Sequence, residues 1–295
     1  MATLRGTLTM ALIVLNLLFW AIPFYLVAFL KLLPLAALRD RTSRLLVRIA
    51  ENWISGNNLI FRLMLDIRWD VEGVDELTRR EWYLVVCNHQ SWVDILVLQG
   101  VLNRRIPFLK FFLKKELIWV PVLGFAWWAL DFPFMQRHSR EYLERHPEAR
   151  GQDLEATRRA CEHFSRSPTS VMNFVEGTRF RPEKHARQQS PYRHLLQPRA
   201  GGVAFVLGAM GDILHRMLDV TIVYPGGTPS LWELCCGRVR EIRVRVAARD
   251  IPVWMKSADY LEDAEFRARF QAWLGELWSE KDRQIEAMLA GGGRA

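Results

Sequence analysis

The sequence predicts an α/β fold, with a mostly parallel central sheet flanked by helices and an N-terminal membrane-embedded helical segment. Three observations carry this. No residue from Gly6 to Leu30 is charged, and about twenty apolar residues suffice to cross a bilayer core. Beyond that segment, short apolar runs of strand type alternate with longer helical patterns, the order expected of a parallel sheet with helical crossovers. Finally, 50% of the 295 residues are hydrophobic and 24% are charged, a balance that supports a large buried core and excludes a disordered chain. Two parts are expected: residues 1–50 as anchor and basic flank, and residues 51–295 as one globular domain.

The elements follow in order. The run "GTLTMALIVLNLLFWAIPFYLVAFL" predicts a membrane helix, kinked or split into a re-entrant pair at Pro23. A cleaved signal peptide is the competing reading, but its apolar core is usually only about 7–15 residues, and "LAALRD" is a poor cleavage context. Arg5 stands alone on the amino side, whereas Lys31, Arg39, Arg41, Arg44 and Arg48 follow the run. This asymmetry predicts a cytoplasmic location for the rest of the chain, on the inner membrane in a bacterium. It also sets the basic stretch against anionic headgroups. "WYLVVC" (82–87) predicts a buried strand and "SWVDILVLQGVL" the helix after it. "RIPFLK" (105–110) and "DFPFMQR" (131–137) suggest short strands around an apolar stretch interrupted by Pro121. "DLEATRRACEHFSR" (153–166) has the two faces of an amphipathic helix. "SVMNFV" (170–175) is a strand running into "EGTRF", and residues 181–202, polar and punctuated by Pro and Gly, read as a long loop. "GGVAFVLGAM" (201–210) is an apolar helix, "DVTIVYP" (219–225) and "VREIRVRVA" (239–247) are strands, and residues 264–289 form a long closing helix.

Charge and composition narrow the partners. A net charge of +8 favours anionic ones, and twelve tryptophans, several beside apolar runs, tilt the choice toward a membrane surface. No zinc-finger spacing or RNA-binding aromatic signature is present, which argues against nucleic acid. Cys87, Cys161, Cys235 and Cys236 match neither a zinc site nor a C-x-x-C motif, so reduced thiols are expected.

His89 and Asp94 stand five positions apart after the strand 82–87. Ser91 with Asp94 fits a capping box, in which Asp94 serves only the helix. A ligand-facing role is equally compatible, because α/β proteins bind ligands beyond the carboxyl ends of their strands. There Asp94 would orient the imidazole and leave its other nitrogen free to take a proton. G-x-S-x-G and H-E-x-x-H are both absent. With no protein nucleophile or metal motif in view, the base would act on a substrate hydroxyl. Glu176-Gly177-Thr178-Arg179 ends another strand. Glycine allows close backbone approach, and threonine and arginine suit a phosphate; a glycine turn with a surface arginine is the plainer reading.

Taken together, "NHQSWVD", "FLKKELIWVPVLGFAWWALDFPFMQR" (112–137), "FVEGTRF" and "VTIVYPGG" (220–227) resemble the four ordered blocks of the 1-acylglycerol-3-phosphate O-acyltransferase family, the H-x4-D glycerolipid acyltransferases. The resemblance covers residues 80–230, the motif core of the expected acyltransferase domain, which is followed by a strand and long helix over 238–290. It implies transfer of a fatty acyl chain from acyl-CoA or acyl carrier protein to a lysophospholipid hydroxyl, in the first instance that of 1-acylglycerol 3-phosphate. His89 would be the base and Asp94 its orienting partner. Glu176, Gly177, Thr178 and Arg179 would hold the acceptor, with Lys115, Arg137 and Pro225 as further substrate contacts. No cofactor or metal is implied, because the thioester is already activated. Competing readings are an acyltransferase for glycerol 3-phosphate or another lipid, and a non-enzymatic membrane lipid-binding protein on the same fold.

Overall fold

A computed structural model of the chain describes residues 1–33, 36–135, 145, 158, 164, 167–256, 260 and 263–291. Strands β1 (Arg68–Glu72), β2 (Tyr83–Cys87), β3 (Leu109–Phe111), β6 (Ser170–Phe174), β7 (Arg216–Val223) and β8 (Glu241–Asp250) form one sheet, in the order β1-β8-β7-β2-β6-β3. Strands β4 (Leu113–Lys114) and β5 (Phe134–Met135) pair separately. β7, β2, β6 and β3 are mutually parallel, whereas β8 runs antiparallel to β7 and carries β1 parallel to itself. The sheet is therefore mostly parallel, as expected, with one reversal at the β7–β8 ladder.

β2 is the centre of the sheet because it is apolar on both faces. Every residue of "YLVVC" is buried, the pattern of a parallel strand covered on both sides. Its alternation divides two cores. Leu84 and Val86 face α6 (Ala200–Met210) and α8 (Ala264–Ala290), packing with Val203, Leu207, Phe270 and Trp278. Tyr83, Val85 and Cys87 face α3 (Val93–Leu102), packing with Val93, Val97 and Leu98. The closing helix α8 thus becomes one wall of the main core.

α1 (Ala2–Leu30) is one continuous helix through Pro23, so no re-entrant break forms there. It is long and apolar enough to cross a membrane. It packs along α2 (Ala36–Met64), where the Asn16 amide donates to the Trp53 carbonyl and to Asn57 Oδ1, both at 2.9 Å. The boundary expected at residue 50 falls inside α2. A 3-10 turn (Lys115–Trp119) and α4 (Leu123–Ala129) flank Pro121. The expected 181–202 loop contains a helix, α5 (Pro182–Gln188): Pro182 starts it, Glu183 lies in its first turn, and Gln189 ends it in a left-handed conformation. These are ordinary helix signals in a short polar segment with no apolar stripe to advertise them. Another short helix, α7 (Leu231–Cys235), is opened by a capping box of Ser230 and Glu233. Of the helix expected over 153–166 only Arg158 and Phe164 are among the described residues, and Cys161 lies outside them.

One buried ion pair fastens α8 to the sheet. Lys281 Nζ lies 2.5 Å from Asp219 Oδ1 and donates to the Val220 carbonyl at 2.7 Å and to Thr221 Oγ1 at 2.9 Å. Removing one partner of a buried pair strands the other charge and costs about 3–5 kcal/mol. Lys281→Ala should lower unfolding stability by that amount, read from denaturant midpoints in detergent. The Asp219→Leu/Lys281→Met double variant should regain most of it; equal losses in both variants would show that packing of α8 matters and the pair does not.

Candidate active site

Three parallel strands deliver the site at their carboxyl ends. β2 runs out at Cys87 into Asn88 and His89, β6 at Phe174 into Glu176, and β7 at Val223 into Tyr224. Cys87 is aligned with Phe174 on one side and Val220 on the other. Asn88 locks this register beyond the last ladder pair. Its amide donates to the Ile222 carbonyl, and its carbonyl accepts the Ile222 N–H, each at 2.9 Å.

His89 is held on every side. Its main-chain N–H donates to Glu176 Oε1 at 2.9 Å, and its carbonyl accepts the Phe180 N–H at 2.7 Å. Its ring stacks on Phe174 with centroids 3.8 Å apart. Nδ1 meets Asp94 Oδ2 at 2.9 Å. The same oxygen accepts the backbone N–H groups of Gln90 at 2.6 Å and Ser91 at 2.8 Å, and Asp94 Oδ1 accepts the Tyr224 hydroxyl at 2.6 Å. An oxygen ringed by N–H donors is an acceptor, so Nδ1 carries the proton and Nε2 presents its lone pair. Among the described residues Nε2 has no hydrogen-bond partner. Burial and the Asp94 charge raise the Tyr224 pKa well above its ordinary value, which keeps its hydroxyl protonated as a donor.

Asp94 therefore fills both roles that the sequence left open: it receives the Ser91 N–H in capping fashion, and it grips the imidazole. The other half of the expected capping box does not form. Ser91 Oγ donates to the Pro229 carbonyl and accepts from Val93 N–H, and α3 starts one residue later than a Ser91 cap would place it, with Trp92 at the N-cap. Cys87, fully buried, has its thiol pKa pushed well up by desolvation, in keeping with packing.

The residues expected to hold an acceptor separate into two kinds. Glu176, expected with Gly177, Thr178 and Arg179 to hold the acceptor, is buried at 0% exposure. Its second oxygen accepts the Leu196 N–H at 2.9 Å, so the carboxylate ties His89 to the 195–196 segment and serves as a positioning group. Burial raises its pKa from 4.5 to about 7, against the pull of those two N–H bonds. Gly177 turns the chain at φ 67° beside the Arg199 side chain, a conformation that favours glycine. Thr178 Oγ1 accepts from Lys184 Nζ of α5, and the Arg179 guanidinium lies 4.9 Å from the centroid of the exposed Trp92 ring. Pro225 follows Tyr224 and is half-buried. Lys115 is exposed on its 3-10 turn, with no hydrogen bond or ion pair to this cluster among the described residues. Arg137 lies outside the described residues.

Sequence reasoning missed Asn88, Phe174, Lys184 and Tyr224. Tyr224 stands immediately before Pro225 in a quoted block, but only the β2–β7 adjacency brings it to Asp94.

A model of the acyltransferase family matches residues 68–230, a span containing all of these groups. The chain belongs to the acyltransferase family. Its relatives include lysocardiolipin acyltransferase 1 of Danio rerio, 26% identical over 271 residues that make up 86% of this chain and 65% of that protein. Another is 1-acyl-sn-glycerol-3-phosphate acyltransferase delta of Mus musculus, 27% identical over 217 residues, 69% of this chain and 52% of that one. The chain thus spans between half and two thirds of the length of these relatives. The crystal structure of the 1-acyl-sn-glycerophosphate (LPA) acyltransferase PlsC from Thermotoga maritima shares the acyltransferase fold, with a TM-score of 0.57 and 18% identity across 100% of this chain and 99% of that one.

A carboxyl whose folded pKa lies above its unfolded value favours folding when protonated. The Glu176 contribution is thus full below its ordinary pKa of 4.5 and is lost as pH rises through about 7. Wild-type stability should fall relative to Glu176→Gln across this window; a flat difference would show an unshifted carboxyl. Tyr224→Phe leaves Asp94 Oδ1 without its hydroxyl donor and should cost about 1–3 kcal/mol in thermal unfolding.

Proposed function

We propose that this acyltransferase moves a fatty acyl chain from a thioester, acyl-CoA or acyl carrier protein, to the free hydroxyl of a lysophospholipid, with 1-acylglycerol 3-phosphate as the first acceptor to test. The observation that carries the reading is the open Nε2 of His89, opposite an Asp94-bound Nδ1, at the strand ends that also bear Thr178 and Arg179. His89 Nε2 takes the proton of the acceptor hydroxyl as its oxygen attacks the thioester carbonyl. Asp94 holds the tautomer and stabilises the imidazolium. Collapse of the tetrahedral intermediate breaks the C–S bond, and the departing thiolate takes the proton back from His89. Arg179 and Lys184 supply positive charge for the acceptor phosphate, and Gly177 lets the backbone approach it closely. The thioester supplies the activation, so the scheme uses no cofactor.

The names of the relatives divide between lysocardiolipin and 1-acylglycerol 3-phosphate as acceptors. Turnover with each acceptor separates these options from glycerol 3-phosphate and from a lipid-binding protein without activity.

We also infer that α1 holds the domain on a membrane. Leu15, Leu18, Phe19, Ile22, Leu26 and Phe29 are exposed along it, too large an apolar row for water. Both ends of the helix are bonded to the domain. Arg5 donates to the Cys236 carbonyl at 2.6 Å, and Lys31 pairs with Asp131 at 2.7 Å. A helix crossing a bilayer parts its two ends by the hydrocarbon thickness of about 30 Å, so these contacts favour α1 lying along one leaflet. The basic flank then favours the cytoplasmic face. Carbonate-resistant pelleting, with a label on the catalytic domain accessible only from the cytoplasmic side, is the expected result.

His89→Ala should lower turnover by about 10²–10⁴-fold with the fold intact; a variant that keeps a tenth of wild-type turnover would remove the base assignment. Arg179→Ala should raise KM for a phosphate-bearing acceptor by about 10–150-fold, the equivalent of one charge-assisted hydrogen bond. Arg179→Lys should recover little of it if the contact is bidentate.

A further inference from the structure

The basic flank that follows α1 is not used by the catalytic site. Arg44 and Arg48 stand one helical turn apart on α2, a spacing at which like charges repel. Both are exposed, as is Arg39, and none of the three has a hydrogen bond or ion pair among the described residues. With Arg79 and Lys110 they line an open cavity of about 650 Å³. Among the described residues its acidic lining is Asp40 and Asp131. Asp131 is already engaged by Lys31 at 2.7 Å and by the Ser43 hydroxyl at 2.9 Å. Arg79 pairs with Glu51, and Lys110 lies over the Phe164 ring at 4.5 Å. The lining retains an excess of positive charge, concentrated on the three α2 arginines.

This cavity is not the catalytic cleft. Its wall includes Pro168 and Thr169, just ahead of β6, and Lys110, which is aligned with Val171 near the start of that strand. His89 lies beyond the other end, where Cys87 is aligned with Phe174. A five-residue strand at about 3.3 Å per residue separates the two by roughly 15 Å. Apolar surface adjoins the cavity as well. Phe108 lines it and packs against the cluster of Phe24, Ala28 and Leu46 that joins α1 to α2. Leu30, Leu32 and Leu33, at the end of α1, are exposed.

Arginines held on one helix beside an exposed apolar helix end suit an anion that arrives with acyl chains attached. We propose that this cavity is a second phosphate site, separate from the acceptor turn at Thr178 and Arg179, and that it takes the phosphate group of an anionic glycerophospholipid from the surface on which α1 rests. Arg44 and Arg48 are its principal ligands, and occupancy relieves their mutual repulsion. The charge argument holds whatever reaction the dyad performs; the lipid source rests on the membrane reading of α1, so a free-phosphate arm is included in the test.

The test uses the full-length chain in a non-ionic detergent. Binding of dioctanoyl-phosphatidylglycerol, dioctanoyl-phosphatidylcholine and inorganic phosphate is measured calorimetrically for wild type, Arg179→Ala, Arg44→Gln/Arg48→Gln and Arg44→Lys/Arg48→Lys. Phosphatidylglycerol should bind wild type and Arg179→Ala alike, and more tightly than phosphatidylcholine. The glutamine pair should weaken it by about tenfold or more, the equivalent of one strong charged contact. The lysine pair should keep most of the affinity, and circular dichroism should show both pairs folded. Turnover of a short-chain acceptor should be unchanged in the glutamine pair. Inorganic phosphate binding with the same dependence on Arg44 and Arg48 supports the phosphate chemistry; binding of the phosphate with no binding of the lipid overturns the lipid source. Equal phosphatidylglycerol affinity in wild type and the glutamine pair, or its loss in Arg179→Ala, overturns the site.

Discussion

The acyltransferase site depends on the clamping of one residue's main chain. His89 follows β2, but its N–H is taken by Glu176 and its carbonyl by Phe180, both from the turn after β6. Neither bond can form unless β2 and β6 are neighbours in the observed register. The ring is fixed independently, by Phe174 on its face and Asp94 at Nδ1. Main-chain anchoring from a second strand fixes the position of His89 without loop flexibility.

The two buried carboxylates at the site have different sets of partners. Asp94 accepts two backbone N–H groups, a hydroxyl and an imidazole N–H, which compensate its burial. Glu176 is just as buried but receives only two backbone N–H groups, and desolvation carries its pKa to about 7. The molecule accepts that cost because the same carboxylate joins His89 to the segment leading into α6, which covers one face of the sheet. Stability is lost at one buried acid and positional accuracy is gained at His89.

The amino-terminal helices are continuous with this arrangement. Arg5 binds the carbonyls of Cys236 and Gly237, just after α7. α7 in turn follows Pro229, whose carbonyl accepts the Ser91 hydroxyl beside Asp94. The apolar helix is thus linked through one short loop to the wall of the candidate site, and the exposed Trp92 ring lies on the same loop as His89. A surface that seats α1 would also set the orientation of this loop.

Much of the site was legible in the sequence because its chemistry is local. A five-residue spacing after a buried apolar run sufficed to nominate His89 with Asp94, and a glycine turn after a strand marked Thr178 and Arg179. Short apolar runs alternating with helical patterns gave the α/β class, since burial on both faces leaves a continuous apolar run in a strand such as β2. What depended on neighbours was hidden. Tyr224 reaches Asp94 only because β7 lies beside β2, and Glu176 points inward only because the His89 and Leu196 N–H groups converge on it. The short α5 that brings Lys184 to Thr178 has no apolar stripe to betray it. Sequence by itself determined which groups stand at the strand ends, because propensity and periodicity act over a few residues. Tertiary structure decided which of those groups face the cleft and which are spent inside, because strand order and burial join residues far apart along the chain, such as Asp94 and Tyr224, 130 positions from each other.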